Sequence, residues 1–359
     1  MTYNSIKPGQ PWLDTDGKRI QAHGGSIITV GDTFYWYGEN KEYTKPGSGI
    51  WHWGVRCYAS KDLYNWEDQG VIIPPNEEDE SSPLHPSQYM DRPHIIFNEQ
   101  TGKFVCWLKI MKKDDTQAST VLTADHILGP YEIVRTGLRP LNMSAGDFDL
   151  VISSDGKGYY YFERVHSELI CADLSADFTD VTGYYSTHFP NVQPPFVREA
   201  PAYFCRQGKH YLFTSGTTGY HPNPSEVAGA PTFHGPWKVL GNPHPNDTSL
   251  TSYNSQITSV FKHPFKKDLY IALADRWIPN LPELVGDKFA SGEQSRIAAK
   301  LYEKVFAPQS QYVVKEEESM PTSLDFDTSV SDYVWLPVRF DGEMAYLDWH
   351  DEWKIEDYE

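Results

Sequence analysis

The sequence predicts an all-β protein and, within that class, a five-bladed β-propeller. Its 359 residues include 11 Trp, 23 Tyr and 17 Phe, and aromatic side chains favour pleated, half-buried strands. A hairpin pattern then recurs five times along the chain. The repeats are spaced by roughly 50–70 residues, which suits blades of four strands each. Helical periodicity is clear only at residues 291–305, which we expect to lie across a blade edge.

Each predicted hairpin consists of an apolar strand, a polar turn with Gly or Lys, and an aromatic strand. The strand pairs occupy residues 24–30 and 34–37, 94–97 and 104–107, 148–152 and 159–162, 200–205 and 211–213, and 257–261 and 269–272. Two late strands, at 333–338 and 345–349, are expected to finish the last blade and close the ring. A β-sandwich is the alternative, but sandwiches have shorter turn spacing and no repeat of blade length.

The chain has no linker rich in Pro, Gly or Ser, so residues 1–359 are expected to form a single domain. This length buries a sufficient core without disulfides or metals. Three of the four cysteines, Cys57, Cys106 and Cys205, lie in strand-like runs and are expected to be buried free thiols.

The net charge of −18 disfavours nucleic acid and anionic membrane surfaces as partners, because both would repel the protein. No apolar stretch approaches 18 residues, so no membrane span is predicted. The N-terminus lacks a secretory signal, which favours a cytoplasmic location, although a trimmed signal would leave the same sequence. No cofactor and no metal is predicted, since the spacing shows no ligand cluster. A neutral oligosaccharide or polysaccharide fits both the charge and the aromatic content.

Charged and amide side chains stand at the leading ends of the apolar strands. In a propeller these strands line the central channel, so their leading ends converge at one mouth of the axis. The ends carry His23, Asp91 with Arg92, Asp147 with Asp149, Arg198 with Glu199, and Ser255 with Gln256. A charged side chain at such a strand end costs free energy unless it is ion-paired or hydrated. The recurrence of charged side chains at equivalent strand ends therefore predicts a functional site. Strand capping within a structural ion-pair network is the alternative.

Two of these side chains suit glycoside hydrolysis. That reaction needs a carboxylic acid to protonate the leaving oxygen and a second group to activate water or attack the sugar. Glu199 is the best candidate for the acid, because it opens an apolar strand where partial burial would raise its pKa. Asp147 is a candidate for the neighbouring negative charge that raises this pKa further.

Several runs, in order through nearly the whole chain, resemble glycoside hydrolase family 43 and its exo-β-1,3-galactanase-like branch. They are AHGGSI, FYWYGE, YASKDLYNW, DRPHIIFNEQTGKFVCW, GDFDLVISSDGKGYYY, REAPAYFCRQGKHYLFTSGTTGYHPNP, NSQIT and YVWLP. The resemblance implies a five-bladed propeller that cleaves with inversion. It also implies that Glu199 is the general acid and that Asp147 tunes this acid and holds substrate.

The chain departs from family 43 at large in its first blade, where His23 stands in place of an Asp base. The galactanase-like branch also lacks that Asp and positions the water with a Gln, which Gln256 matches. An amide is a poor base, so either an unusual tautomer accepts the proton or the side chain only orients water. Asp91 stands where the branch has Glu.

The resemblance further implies sugar contacts by Glu39 and Thr217. Asp91, His23 and Arg198 are additional candidates at the channel mouth, and His23 is alternatively a satisfied channel histidine or the ligand of an axial ion. The loop aromatics Trp51, Trp53 and Tyr220 are candidates for stacking platforms, with loop anchoring as the alternative for each.

Together these features predict an inverting, exo-acting glycoside hydrolase that releases galactose from β-1,3-linked, arabinogalactan-type glycans. An α-L-arabinofuranosidase or a β-D-galactofuranosidase of the same family is the first alternative. A non-catalytic carbohydrate-binding propeller that has lost its base is the second.

Overall fold

The computed structural model describes residues 2–112, 116–191, 193–307 and 323–359. Within them, 21 strands form five antiparallel sheets. The first two sheets contain β1 (His23–Val30), β2 (Thr33–Glu39), β3 (Val55–Ser60) and β4 (Glu67–Ile73), then β5 (Tyr89–Asn98), β6 (Lys103–Met111), β7 (Gln117–Ala124) and β8 (Glu132–Leu138). The next two contain β9 (Ala145–Ile152), β10 (Gly158–Arg164), β11 (Glu168–Leu174) and β12 (Val181–His188), then β13 (Arg198–Arg206), β14 (Lys209–Gly216), β15 (Glu226–Ala230) and β16 (Lys238–Gly241).

The fifth sheet contains β17 (Gln256–Lys262), β18 (Tyr270–Arg276), β19 (Asp332–Tyr333), β20 (Leu336–Asp341) and β21 (Met344–Leu347). Among the described residues between β18 and β19 are the α-helices α1 (Leu281–Val285), α2 (Asp287–Ala290) and α3 (Glu293–Phe306). The two late strands predicted from the sequence therefore do finish the last blade. None of the helices in the described part of the chain is long and apolar enough to cross a lipid bilayer.

The five sheets are arranged as blades around a central axis. The first strands, β1, β5, β9, β13 and β17, each contact the next one, and β17 contacts β1 in turn. This closed ring of inner strands confirms the predicted five-bladed propeller. The count of one domain over residues 1–359 stays a prediction.

Every inner hairpin has a β-bulge or register shift near the same mouth of the channel. In β5 the shift lies between Asp91 and His94, and in β13 between Glu199 and Ala202. Two residues at these shifts, Arg92 and Ala200, have positive φ angles of 54° and 49°. Bulges re-aim side chains and are frequent beside active sites. The shifts thus turn residues at the starts of the inner strands towards the mouth.

A cluster of tryptophans joins the two ends of the chain at the junction of the first and last blades. The ring of Trp335 lies 4.9 Å from that of Trp12, 4.5 Å from Trp36 and 6.1 Å from Trp66, measured between centroids. Trp353 adds a hydrogen bond from its Nε1 to the carbonyl oxygen of Trp335, at 2.8 Å. Burial of these rings stabilises the closure of the ring.

The cysteine prediction is correct at two of the three named positions. Cys57 and Cys106 are buried free thiols, and so is Cys171. Cys205 is exposed, contrary to expectation. It is the penultimate residue of β13, and alternation along the strand turns it away from the side that buries Phe204.

We predict that Trp335→Ala will lower the free energy of unfolding by about 3–5 kcal/mol, because it leaves a cavity among three indole rings. Urea denaturation followed by circular dichroism measures this change. The matched control, Trp349→Ala, removes a half-exposed ring and should cost about 1 kcal/mol or less. Equal losses in the two variants would contradict a special role for the cluster.

Candidate active site

The bulged ends of the inner strands surround a cavity of about 370 Å³. All five blades, together with helix α3, supply its walls. The lining residues are Glu39, Trp51, Asp91, Arg92, Lys109, Met111, Gln117, Asp147, Val165, His166, Glu199, Thr217, Gly219, Tyr220, Gln256, Trp277, Tyr302 and Phe306. A volume of this size is typical of small-ligand pockets.

Glu199 lines the cavity with a carboxyl group that favours its protonated form. Burial raises its pKa well above the ordinary value, and the negative charges of Asp147 and Glu163 add to this effect. The only side-chain hydrogen bond to Glu199 among the described residues comes from Gln256, whose Nε2 lies 3.3 Å from Oε1. No cation is paired directly with Glu199 in that part of the chain. A carboxyl group in this environment can act as a general acid near neutral pH.

Asp147 lies in the same cavity but is held as a carboxylate. Its Oδ2 lies 2.8 Å from Arg92 Nη2, and its Oδ1 lies 2.8 Å from Lys109 Nζ. Burial by itself would raise the pKa of Asp147, but the two cations and their hydrogen bonds lower it well below the usual range. The cavity therefore contains one acidic group that favours protonation and one that stays ionised.

The carboxamide of Gln256 has a fixed orientation. Its Oε1 accepts hydrogen bonds from Arg92 Nη2 at 2.7 Å and from Trp277 Nε1 at 3.3 Å. Guanidinium and indole groups can only donate, so the amide oxygen must face them. The Nε2 then donates to Ser215 Oγ at 3.0 Å as well as to Glu199. In this arrangement both lone pairs of the amide oxygen accept hydrogen bonds, and the amide nitrogen has no lone pair that could accept one.

Asp91 is anchored at the wall of the cavity. Its Oδ1 accepts a 2.7 Å hydrogen bond from Trp51 Nε1, and its Oδ2 lies 3.3 Å from Lys109 Nζ. Burial would raise its pKa, but Lys109 and Lys41 lower it below the ordinary value. The ring of Trp51 is stacked near Tyr220, with 5.8 Å between centroids. Trp51 thus both holds Asp91 and lines the cavity, so its position is compatible with both alternatives that the sequence left open, loop anchoring and a stacking platform.

Glu39 completes the acidic side of the cavity. It pairs with Lys41 at 2.9 Å and accepts a 2.9 Å hydrogen bond from the backbone N–H of Arg92. Burial nevertheless raises the pKa of Glu39 to about 7. Gly24 permits this approach, since its φ is 61° and a Cβ there would lie only 2.3 Å from Glu39 Oε1. Nothing larger than glycine fits at that position without moving Glu39.

Three residues predicted as substrate contacts do not line the cavity. His23 is completely buried, bonded through Nδ1 to Asp275 at 2.9 Å, and matches the satisfied channel histidine. Arg198 turns away because it bonds both the hydroxyl and the carbonyl of Thr214. Trp53 packs edge-on against Tyr43. Their positions are corrections to the expected site, and each follows from a stronger local partner.

The remaining predicted residues are brought together as expected, and their catalytic and binding roles stay predictions. Thr217 lines the cavity while its hydroxyl donates to the carbonyl oxygen of Val197 at 3.1 Å. Asp149, which the sequence placed at the same mouth, lies deeper in the channel. It accepts from the Tyr203 backbone N–H at 2.7 Å and lies 3.1 Å from His94 Nδ1.

Sequence reasoning placed Arg92 at the channel mouth without giving it a role, and it did not assign Lys109, Trp277 or Tyr302 to the site. Lys109 had a signal, because it is a charge within the apolar, aromatic strand β6. Tyr302 belongs to the predicted helix, now observed as α3, but that helix lies at the cavity and not simply across a blade edge. No group of three or more His, Cys, Asp or Glu suited to a metal occurs among the described residues.

The axial cavity of this five-bladed propeller holds one carboxyl group with a raised pKa and one ion-paired carboxylate, which is the kind of pair that glycoside hydrolysis uses. The model of Glycosyl hydrolases family 43 matches residues 19–276, well over half of the chain, and the protein belongs to that family. No curated protein sequence matches the chain.

Solved structures similar to this protein include two GH43 β-1,3-galactosidases. The first, BT0265, is 28% identical with a TM-score of 0.77, and the match covers 99% of this chain but 65% of that protein. The second, BT3683 with galactodeoxynojirimycin, is 27% identical with a TM-score of 0.76 over 98% of this chain and 100% of that one.

A third similar structure is the exo-β-1,3-galactanase from Phanerochaete chrysosporium, in a Glu-to-Gln variant with β-1,3-galactotriose. It is 25% identical, with a TM-score of 0.76 over 98% of this chain and 68% of that one. The chain thus spans about two thirds of two of these relatives and the whole length of the other.

We predict that Asp147→Asn will lower the pKa of Glu199 by about one pH unit or more. The substitution removes a nearby negative charge and leaves Arg92 and Lys109 uncompensated, and both changes favour the ionised form of Glu199. An NMR titration of carboxyl-labelled glutamate measures the pKa. Asp155→Asn, in an exposed turn of the same blade, is the control. An unchanged pKa in Asp147→Asn would contradict the electrostatic coupling.

Proposed function

We propose that this protein is an inverting, exo-acting β-1,3-galactosidase that removes galactose from the ends of arabinogalactan-type glycans. The observation that carries the proposal is the pair of Glu199, with its raised pKa, and ion-paired Asp147 in the axial cavity. The names of the similar structures support the choice of sugar and linkage. A cavity whose walls come from all five blades at one mouth of the axis suits the end of a glycan chain.

In the proposed reaction, protonated Glu199 donates its proton to the glycosidic oxygen as the bond between that oxygen and the anomeric carbon breaks. Water attacks the anomeric carbon from the opposite face and releases one proton to solvent, so the β linkage yields α-galactose, and the Glu199 carboxylate then takes up a proton from solvent. Asp147 keeps the pKa of Glu199 high and, with Arg92 and Lys109, offers charged partners to the sugar hydroxyls.

Gln256 is proposed to orient the attacking water and not to remove its proton; when substrate enters, the Nε2 of Gln256 exchanges its 3.3 Å contact with Glu199 for the water and donates that N–H to it. Its oxygen accepts from Arg92 and Trp277, and its nitrogen only donates. An imidic acid form would place an O–H against two groups that are themselves donors. The alternative role as a base through its tautomer therefore requires the side chain to turn out of the observed network.

A furanosidase of the same family is the second candidate, and Asp91 is the observation that favours it. Its short side chain is held by Trp51 and Lys109 at the wall, where the galactanase-like branch has a longer Glu. The expected cytoplasmic location and the expected lack of nucleic-acid and membrane partners stay predictions.

Product analysis after incubation with β-1,3-galactan and with arabinogalactan tests the function. We expect released galactose, which proton NMR should first detect as the α anomer. Glu199→Gln should lower the rate by about 10²–10⁴-fold because it removes the proton donor. Glu132→Gln, on an exposed edge strand, is the control.

Near wild-type activity in Glu199→Gln would rule out the proposed mechanism. Released arabinose would instead identify a furanosidase. No product from either glycan, combined with binding detected by calorimetry, would identify a carbohydrate-binding propeller.

We predict that Gln256→Ala will lower kcat on β-1,3-galactan by about 10²-fold, because misplacing a reactant by about 1 Å has an effect of that order. Steady-state kinetics measure the change. Ser215→Ala, which removes one acceptor of the amide and leaves the amide itself, should lose much less. Equal kcat in Gln256→Ala and the wild type would remove Gln256 from the mechanism.

A further inference from the structure

Helix α3 brings aromatic side chains to the mouth of the cavity. Tyr302 and Phe306 both line it, and their spacing of four residues places them on one face of the helix. Tyr302 is half-buried and Phe306 is 40% exposed. We infer that these two rings form the binding surface for the leaving-group sugar, the galactosyl unit on the far side of the cleaved bond. This inference rests on the function proposed above.

The cavity lining is divided into a charged part and an apolar part. The charged part joins Arg92, Lys109 and Asp147 by ion pairs and links them to Gln256. Such groups match the hydroxyls of one sugar that is largely enclosed. The apolar part is formed by Tyr302, Phe306, Val165 and Met111, and its two rings suit the C–H face of a second sugar. Its polar neighbours in the lining are Gln117, which contacts Met111, and His166, which contacts Phe306.

Glu199 lines the same cavity, and its carboxyl group accepts a hydrogen bond from Gln256 on the charged side. Burial, with a smaller contribution from Glu199, raises the pKa of the Tyr302 hydroxyl, so Tyr302 lies within electrostatic reach of that carboxyl group. A general acid must lie within hydrogen-bonding reach of the glycosidic oxygen, which joins the two sugars. If the enclosed sugar occupies the charged part, the leaving sugar therefore lies against α3.

The helix is held firmly enough to act as a wall. Near its start, Ser295 Oγ donates to the carbonyl oxygen of Leu250 at 2.7 Å, and Ile297 and Ala298 are buried. At its end, Phe306 meets the ring of His166 edge-on, with 4.6 Å between centroids. The helix thus extends from the loop that joins the fourth and fifth blades to a turn of the third blade.

The test compares a substrate that has a leaving sugar with one that does not. We expect Tyr302→Ala and Phe306→Ala each to lower kcat/KM on β-1,3-galactotriose by about 10-fold, the scale of one aromatic contact. Both variants should hydrolyse β-D-galactosyl fluoride at the wild-type rate, since fluoride has no face to stack. Val305→Ala is the control, because this neighbour on the same helix is 70% exposed and lies outside the cavity lining.

The pH profile of kcat/KM distinguishes stacking from an indirect effect on Glu199. Tyr302→Phe keeps the ring and should keep the activity on galactotriose, and the alkaline limb should stay in place in both Tyr302 variants. Equal losses on galactotriose and galactosyl fluoride, or a shifted alkaline limb, would overturn the inference while leaving the proposed function intact. A wild-type protein inactive on both galactosides would instead overturn the proposed function, and the inference with it.

Discussion

The buried guanidinium group of Arg92 is the interaction on which the rest of the site depends. From the second blade it reaches Asp147 on the third and Gln256 on the fifth, and its backbone N–H holds Glu39 on the first. A buried cation is costly unless it is paired, so the ion pair with Asp147 fixes the spacing of the blades around the axis. The positive φ of Arg92 shows that the backbone accepts an unfavourable conformation to make these contacts.

This arrangement gives the two carboxyl groups of one cavity different pKa values. Cations surround Asp147 and keep it ionised, whereas Glu199 has an amide as its neighbour and a raised pKa. The negative charge on Asp147 is itself one cause of the high pKa of Glu199. Enzymes commonly separate the pKa values of two carboxyl groups in this way, so that one can donate a proton near neutral pH while the other stays ionised. The charge pattern, more than the identity of any one residue, is what makes the cavity suitable for hydrolysis.

Much of the propeller was predictable because each blade repeats the same pattern of strands and turns. Alternating aromatic and apolar strands, joined by short polar turns, need only neighbouring residues to form, and the blade count follows from their number. The positions of Glu199 and Asp147 at the cavity were predictable for the same reason, since they occupy equivalent ends of repeated strands. His23 and Arg198 also stand at the starts of inner strands, yet their contacts with Asp275 and Thr214 keep them out of the cavity lining. The loop residue Trp53 packs instead against Tyr43.

The sequence by itself determined the fold class, the number of blades and the two carboxyl groups, because periodicity and repetition are local properties of the chain. Only the tertiary structure decided the orientation of Gln256 and the partners of Asp147. Those depend on side chains that are far apart in sequence and meet on the axis. The position of α3 was likewise decided in three dimensions: its periodicity marked a helix, but contacts with Leu250 and His166 hold it at the cavity that Glu199 also lines.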